Sequence, residues 1–447
     1  MAQKYDVAVI GGGPAGLAAA LAASGQGASA LLIEREARLG GILKQCVHDG
    51  FGLIRFGEKL SGPEYACREI RELEETGTFV MLQTFVTGIA KADGAFLLTL
   101  VSKNGIIQAE AKALVLATGC RERTAKQIAI HGTRPAGVLT AGSAQYYTNI
   151  MGQMPTKRCV ILGSGDIGLI MARRLKLEGA DVVGVFEAKH EPGGLLRNVV
   201  QCLHDFDIPL HLGRTVTRVF GSGRLEAVET CRVDKNLNPV PGTEKIIECD
   251  ALILSVGLIP ENELAESLGV ELGMGTRGPV CDQNYMTMVD GVFSCGNAMH
   301  VSDLVDYVSE GGGIAGRGAA RYSALGGGGA QHCTEQNVPA QHSPAQHTPA
   351  QIGRQNREFA TVSASPDFLY AVPQRIDVTD LKGETIMFFR SSEVRKKTTV
   401  RVLVDGAEVF KKHFNQLRPP EMERITVGFG ERLRAGSKIT LEMEAAK

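Results

Sequence analysis

Two short glycine-rich segments, each followed by an acidic residue, could bind a dinucleotide. The first is Gly11-Gly12-Gly13-Pro14-Ala15-Gly16 with Glu34 downstream, and the second is Gly163-Ser164-Gly165-Asp166-Ile167-Gly168 with Glu187 downstream. Glycines at the first, third and sixth positions permit a tight turn, close approach of backbone N–H groups to a pyrophosphate, and close packing of a helix on a strand. An acid about twenty residues further on accepts hydrogen bonds from a ribose. The spacing predicts two dinucleotide-binding turns.

The residues around each turn predict a strand, a helix and a second strand. Apolar strands are predicted at 5–10 and 30–34 in the first unit, and at 158–162 and 181–187 in the second. Such βαβ units are typical of Rossmann-like domains. Two further buried-strand patterns, at 113–119 and 251–257, are each expected to close the sheet of their own unit.

The acid of the second unit bears on which nicotinamide nucleotide binds there. Glu187 would repel a 2′-phosphate, which favours NAD(H) over NADP(H). Lys189 and His190 follow closely and could turn toward an anionic group, so NADP(H) stays open. A second unit retained only as a scaffold is the alternative without a ligand.

Residues 4–325 resemble a family of flavoproteins with two dinucleotide-binding domains, which includes thioredoxin and glutathione reductases. The resemblance is carried by the two glycine turns, by Ala117-Thr118-Gly119, and by a late strand ending in Gly296-Asn297. It implies that the first turn binds FAD and that the second, in an inserted domain, binds the nicotinamide nucleotide. The family places an aspartate on the ribityl chain where this sequence has Asn297, and an asparagine can also hydrogen-bond a hydroxyl.

A narrower resemblance is to flavoprotein subunits of heteromeric amine and hydroxy-acid dehydrogenases, of the opine oxidase, hydrogen cyanide synthase and sarcosine oxidase alpha type. It is carried by Gly40-Gly41 and by residues 117–123 and 134–142, while residues 41–52 and 163–174 resemble a bacterial group accompanying a glycerol-3-phosphate-dehydrogenase-like flavoprotein. It implies two partners, which are a substrate-oxidising flavoprotein and a small cysteine-rich protein. Only Cys333 follows Cys295, so this chain has too few late cysteines to ligate an iron–sulfur cluster by itself.

The cofactor-binding residues follow from the turns and from the resemblance. They are Gly11, Gly12, Gly13, Pro14, Ala15, Gly16, Glu34, Arg35, Gly41, Ile42, Val86, Ala117, Thr118, Gly119, Gly163, Ser164, Gly165, Asp166, Ile167, Gly168, Glu187, Val256, Gly257, Gly296 and Asn297.

Two side chains after the Gly40-Gly41 pair are candidates for catalysis. Cys46 could be a thiol beside the flavin, and His48 could donate a proton to reduced flavin or substrate. The alternative for both residues is a packing role. His300 likewise either acts in the site or only packs. A disulfide reductase of this family needs a cysteine pair at close spacing, and none follows Cys46, since Phe51 stands five residues on.

Composition excludes several classes of function. The chain has 447 residues with 48 Lys and Arg against 49 Asp and Glu, so it lacks the positive charge needed for nucleic acid. Ten scattered cysteines without a Cys-x-x-Cys pattern favour a reducing compartment. Neither a leader nor an integral membrane segment is predicted, and we expect a cytoplasmic protein. His332, Cys333, His342 and His347 lie in a polar tether, so no metal site is predicted.

The predicted fold class is α/β, with two Rossmann-like three-layer domains, the NAD domain inserted in the FAD domain, and a small C-terminal all-β domain. The expected boundaries are 1–125 and 278–325 for the FAD-binding domain, 126–277 for the NAD(P)-binding domain, 326–365 for a flexible linker, and 366–447 for the β domain. The β domain could dock a partner or simply cover the flavoprotein.

The expected function is hydride exchange between FAD and NAD(P)(H), without a redox-active disulfide. The chain would be the electron-transfer subunit of a heteromeric dehydrogenase acting on a small hydroxy acid, an amino acid or a polyol phosphate. Two alternatives stay open: a self-sufficient NADH-dependent flavin reductase or oxidase, and a non-enzymatic assembly subunit with structural FAD.

Overall fold

The computed structural model describes residues 3–92, 94–325, 357–381 and 383–445, and these form three domains. The predicted fold class is confirmed. Most of the predicted linker, residues 326–356, lies outside the described residues, as do His332, Cys333, His342 and His347. The helices are α1 (Pro14–Ser24), α2 (Gly62–Glu74), α3 (Ala141–Asn149), α4 (Asp166–Leu177), α5 (Leu196–Cys202), α6 (Glu263–Ser267) and α7 (Val305–Ala324).

The first domain is built on a mixed sheet in the order β5-β2-β1-β8-β7-β6. β1, β2, β5 and the end of β8 are parallel, while β6, β7 and β8 form an antiparallel meander. β8 lies inside the sheet and does not close it, because it pairs with β1 on one side and with β7 on the other. The strands are β1 (Gln3–Ile10), β2 (Ala30–Ile33), β3 (Asp49–Phe51), β4 (Leu60–Ser61), β5 (Phe79–Met81), β6 (Thr84–Ala92), β7 (Ala95–Ser102) and β8 (Gly105–Leu116).

The inserted domain has a parallel sheet in the order β11-β18-β12-β13-β14 and an antiparallel layer of β15, β16 and β17. β18 also lies inside its sheet, between β11 and β12. The two chain crossovers, β9 and β19, pair with each other. The strands are β9 (Cys120–Glu122), β10 (His131–Gly132), β11 (Val138–Thr140), β12 (Arg158–Leu162), β13 (Asp181–Glu187), β14 (Leu210–Leu212), β15 (Arg214–Phe220), β16 (Ala227–Arg232), β17 (Lys245–Glu248), β18 (Ala251–Leu254) and β19 (Leu258–Pro260).

The chain returns to the first domain before the predicted residue 278, because Ala265 of α6 and Val270 belong to that domain's core. The C-terminal β domain also begins earlier than predicted, at Phe359, and its two sheets share one core. The remaining strands are β20 (Val292–Ser294), β21 (Phe359–Ala364), β22 (Phe368–Val372), β23 (Arg375–Asp377), β24 (Glu384–Ser391), β25 (Arg395–Val404), β26 (Ala407–Leu417), β27 (Met422–Gly428) and β28 (Lys438–Ala445).

Helix α7 completes the first domain by packing directly on α1. A Cβ at Gly312 would lie 2.2 Å from the carbonyl oxygen of Ala15, and one at Gly316 would lie 2.1 Å from that of Ala19. The two helix backbones are therefore in contact, which only glycine allows at these positions. β20 pairs with β8 in the same region, so residues 292–324 finish a domain that began at the N-terminus.

Candidate functional site

The first glycine turn joins β1 to α1 and has no room for side chains. Gly11 has φ +108°, and a Cβ there would lie 2.3 Å from the carbonyl oxygen of Ala117. A Cβ at Gly16 would lie 1.7 Å from the carbonyl oxygen of Gly11. Helix α1 begins at Pro14 immediately after the turn, so its free N–H groups and the positive end of its dipole lie at this point.

Glu34, at the end of β2, fixes the shape of this turn. Its Oε2 accepts a hydrogen bond from Gly12 N–H at 2.7 Å, and its Oε1 accepts one from Glu36 N–H at 2.8 Å. The side chain is only 6% exposed. Each carboxylate oxygen has a second lone pair, so Glu34 can hold the turn and still accept a ribose hydroxyl.

A second glycine pair, Gly40-Gly41, lies against the turn and forms the other wall of a narrow cradle. Gly40 N–H donates to the carbonyl oxygen of Gly12 at 2.8 Å. Gly41 has φ +52°, and a Cβ there would lie 2.8 Å from Gly13 Cα. The backbones of Gly13 and Gly41 touch each other, so the cradle is a surface free of side chains on which a pyrophosphate could lie. Ile42 beyond it is 56% exposed.

The late strand brings Gly296 and Asn297 to the same end of the sheet. A Cβ at Gly296 would lie 2.7 Å from Ala15 Cβ. Asn297 is held by its own chain, since its Oδ1 accepts from Ser302 N–H at 3.1 Å and its Nδ2 lies 3.5 Å from the sulfur of Cys120. Cys120 directly follows Ala117-Thr118-Gly119. The residues predicted to bind FAD, 11–16, 41, 117–119 and 296–297, are therefore brought together around the first turn.

The second glycine turn, between β12 and α4, repeats this geometry. A Cβ at Gly163 would lie 2.0 Å from the carbonyl oxygen of Ser255, and one at Gly168 would lie 2.5 Å from that of Gly163. Glu187 Oε2 accepts hydrogen bonds from the N–H of Ser164 at 3.0 Å and from its hydroxyl at 2.7 Å. The acid thus supports the second turn as Glu34 supports the first.

A strap over the second turn, residues 193–198, was not predicted from the sequence. Gly193 N–H donates to Ser164 Oγ at 2.8 Å. Asp166 Oδ1 accepts from Leu195 N–H at 2.8 Å and from Asn198 Nδ2 at 2.6 Å. The sequence does contain a signal for it, because a Gly-Gly pair follows Glu187 at the same spacing as Gly40-Gly41 follows Glu34.

Comparison with known proteins identifies the family to which these two sites belong. Residues 5–310 match the family model described as pyridine nucleotide-disulphide oxidoreductase. The chain belongs to this family. It is therefore an FAD- and NAD(P)(H)-dependent oxidoreductase, and the two predicted cofactors are confirmed.

Among relatives of this oxidoreductase are subunits of larger enzymes. The chain is 26% identical over 345 residues to a subunit of the opine oxidase of Agrobacterium tumefaciens, a match that covers 72% of this chain and 64% of that relative. It is 27% identical over 340 residues to hydrogen cyanide synthase subunit HcnB of Pseudomonas aeruginosa, covering 71% of this chain and 69% of the relative. The resemblance predicted from the sequence is confirmed.

Solved structures show the same fold. Thioredoxin reductase of T. acidophilum matches with a TM-score of 0.60 at 22% identity, covering 72% of this chain and 99% of that one. Thioredoxin reductase of Lactococcus lactis matches with a TM-score of 0.61 at 20% identity, with the same coverage. Among the described helices of the oxidoreductase, none is long and apolar enough to cross a membrane.

Of the two candidate catalytic side chains, His48 lies at the contact between the first and inserted domains, whereas Cys46 packs within the first domain against Gly62 of α2. Cys46 donates a hydrogen bond to the carbonyl oxygen of Ile42 at 3.3 Å, and burial raises the pKa of its thiol to about 12. His48 Nδ1 lies 3.1 Å from the carbonyl oxygen of Asp49, and its ring packs 5.0 Å from Phe51. His48 and Arg173 of α4 both line a cavity of about 70 Å³.

This domain contact is made largely by amide side chains, which the sequence did not reveal. Gln45 Nε2 donates to the carbonyl oxygen of Gly142 at 3.0 Å and to Gln145 Oε1 at 3.1 Å. Asn149 Nδ2 donates to the carbonyl oxygen of Gln45 at 2.8 Å. The segment after the Gly40-Gly41 pair is thereby joined to α3 of the inserted domain.

The other predicted residues lie at the edges of the two sites. Arg35 pairs with Glu261 at 3.3 Å, and Thr118 Oγ1 donates to the carbonyl oxygen of Glu261 at 2.6 Å. Gly257 accepts a hydrogen bond from Arg123 N–H at 3.0 Å. Val86 is 6% exposed and packs with the first domain's core. Val256 and Ile167 pack partly against the core of the inserted domain.

Proposed function

We propose that this oxidoreductase exchanges hydride between FAD on the first turn and NAD(H) on the second, without a dithiol. The observation that carries the proposal is the pair of acid-supported glycine turns, one in each domain. Glu34 accepts from Gly12 N–H at 2.7 Å and Glu187 from Ser164 N–H at 3.0 Å. Each acid supports its turn and keeps lone pairs that can accept a ribose hydroxyl, which supports a nucleotide at each turn.

The residues of the chain bind and orient the two nucleotides. When bound, FAD supplies reversible two-electron exchange with a nicotinamide ring. The backbone of the first turn and of Gly40-Gly41 would hold one pyrophosphate, and the N-terminal end of α4 would hold the other. Glu34 and Glu187 would each hold an adenosine ribose. The alignment of the flavin and nicotinamide rings then determines the rate of hydride transfer, because this reaction requires close and fixed geometry.

The described cysteines support the absence of a redox-active disulfide. Phe51, and not a cysteine, stands five residues after Cys46, so no cysteine pair follows the Gly40-Gly41 pair at close spacing. Cys46 is the cysteine nearest in sequence to the Gly40-Gly41 pair, and burial raises the pKa of its thiol to about 12. A group with this pKa is protonated at neutral pH and is a poor nucleophile.

The partner in the proposal is a second, substrate-oxidising subunit. The opine oxidase and hydrogen cyanide synthase relatives are, by their names, subunits of larger enzymes. The chain spans 64% of the first and 69% of the second. We propose that this chain passes electrons between NAD(H) and such a partner, whose substrate is a small hydroxy acid, an amino acid or a polyol phosphate.

The preference for NAD(H) rests on Glu187. Its carboxylate is fixed by Ser164 at 2.7 Å and by Lys189 N–H at 2.9 Å, so it cannot easily turn away from a 2′-phosphate. Repulsion between two fixed negative charges costs several kcal/mol.

An anaerobic titration tests the proposal. The purified protein with bound FAD is mixed with NADH or with NADPH, and loss of the visible flavin absorbance is followed. We expect rapid bleaching by NADH, weaker bleaching by NADPH, and slow return of the colour in air. Fast return in air would support a self-sufficient oxidase, and bound flavin that neither nucleotide bleaches would refute hydride exchange and favour a structural role for FAD in an assembly.

A further inference from the structure

The loop between Asn297 and α7, residues 299–304, is held from two sides. On one side Ser302 N–H donates to Asn297 Oδ1 at 3.1 Å, which ties the loop to the predicted ribityl-binding residue. On the other side the loop contacts the C-terminal β domain. This loop therefore links the β domain directly to the predicted FAD site.

Asp303 is the residue of the loop that the β domain holds most firmly. Its Oδ1 accepts from Arg390 Nη2 at 2.7 Å, and its Oδ2 accepts from Met422 N–H at 2.6 Å. Both carboxylate oxygens are thus bound by one domain. The side chains of Arg390 and Asp303 are 13% and 20% exposed, so solvent screens their attraction only weakly.

Arg390 uses its whole guanidinium to join the loop to the β domain. Besides Asp303 it donates to the carbonyl oxygens of Val301 at 3.4 Å and of Pro419 at 3.1 Å, and to the hydroxyl of Tyr370 at 3.2 Å. A planar group with five donors can make such contacts, whereas a lysine cannot.

The aromatic side of the same contact involves His300. Its ring lies 5.4 Å from Phe388 and 6.0 Å from Tyr370, both in the β domain. Its backbone N–H donates to the carbonyl oxygen of Gly296 at 3.2 Å. His300 therefore connects the residue before Asn297 to the β domain's surface by a second route.

We infer that the C-terminal β domain completes the FAD site, with Asp303 and Arg390 as positioning residues that hold Asn297 in place through the loop 299–304. The inference rests on FAD binding at the first turn, and it assigns the β domain a role in cofactor retention. Neither residue needs to touch FAD. Loss of either should release the loop and with it the side chain of Asn297.

The test compares two arginines that join the β domain to the first domain at different places. Arg390→Met removes the contact with the loop. Arg424→Met removes a two-point ion pair with Glu310 on α7, at 2.7 and 2.9 Å, and leaves the loop untouched. FAD affinity of the full-length apoprotein is measured by quenching of FAD fluorescence, and stability by urea unfolding.

We expect Arg390→Met to weaken FAD binding at least tenfold, and Arg424→Met to change it less than twofold at a similar loss of stability. Asp303→Asn is the milder variant should Arg390→Met fold poorly, and it should weaken FAD severalfold. The double variant that combines Arg390→Met with Asp303→Asn should bind FAD no more weakly than Arg390→Met alone, because Asp303 and Arg390 act through their contact with each other. In Arg390→Met and Asp303→Asn, saturating FAD should restore the bleaching of bound flavin by NADH.

Equal FAD affinity in the wild type, Arg390→Met and Asp303→Asn would overturn the inference, as would equal weakening by Arg424→Met. Neither result bears on hydride exchange, which is judged on the wild-type protein. Conversely, wild-type flavin that NADH does not bleach would refute the proposed function and leave the FAD affinities to be judged separately.

Discussion

Gly41→Ala offers the sharpest test of the cradle around the first turn. Gly41 has φ +52°, and an added Cβ would lie 2.8 Å from Gly13 Cα, where ordinary contacts begin at 3.4 Å. One wall of the cradle must therefore move by about 0.6 Å. The left-handed backbone alone costs an alanine about 1 kcal/mol.

Gly27→Ala is the matched control, since Gly27 has φ +81° but nothing within 4 Å of an added Cβ. Both variants should lose about 1 kcal/mol of unfolding free energy from backbone strain. Only Gly41→Ala should also lose a hydrogen bond to the pyrophosphate. A hydrogen bond to a charged group contributes about 1.5 to 3 kcal/mol, which corresponds to roughly tenfold to hundredfold weaker FAD binding.

The assay is titration of the apoprotein with FAD, followed by fluorescence, beside urea unfolding of the same samples. The expected result is a clear loss of affinity in Gly41→Ala with unchanged affinity in Gly27→Ala. If the two variants bind FAD equally well, the pyrophosphate does not lie against Gly13 and Gly41, and our assignment of the cradle is wrong.

Three further predictions concern single side chains. Glu187→Gln keeps a hydrogen-bond acceptor for Ser164 but removes the negative charge. The ratio of kcat/KM for NADPH to kcat/KM for NADH, measured by flavin bleaching, should therefore rise at least about tenfold. An unchanged ratio would contradict the role of the charge. Burial raises the pKa of Glu69 from 4.5 to about 7, so the native state holds a proton that the unfolded chain has lost. Glu69 alone should therefore lower stability by about 3 kcal/mol as the pH rises from 4.5 to 7. The loss of stability between pH 5 and pH 8 in urea unfolding should accordingly be smaller in Glu69→Gln than in the wild type, and an equal loss in both would contradict this role. Burial raises the pKa of the Cys46 thiol to about 12, whereas Cys67 is exposed. Iodoacetamide at pH 8 should therefore label Cys67 before Cys46, and mass spectrometry would show the order. Early labelling of Cys46 would contradict the expectation that its thiol is protonated.

The two dinucleotide units could be predicted from the sequence because their signals are local. The strand predicted at 158–162 is found as β12 (Arg158–Leu162), and that at 181–187 as β13 (Asp181–Glu187). A short continuous apolar run that ends at a glycine turn is typical of a buried strand and fits few other elements. The strap at 193–198 was equally local, and comparison of the two Gly-Gly pairs would have predicted it.

The contacts that join the domains could not be predicted in this way. Arg390 and Asp303 are separated by 87 residues, and nothing around either one indicates its partner. The same holds for Gln45 and Gln145, which are 100 residues apart. Such pairs are set by how whole domains pack, which neither periodicity nor spacing encodes.

Helix α7 also bears on the order in which the chain folds during synthesis. It contains five glycines in 20 residues, a composition that disfavours an isolated helix by roughly 5 kcal/mol. We expect it to become helical only against α1, which leaves the ribosome almost 300 residues earlier. The inserted domain is continuous in sequence, and its last strand ends at Pro260. It can therefore fold before α7, the last helix of the first domain, has been synthesised.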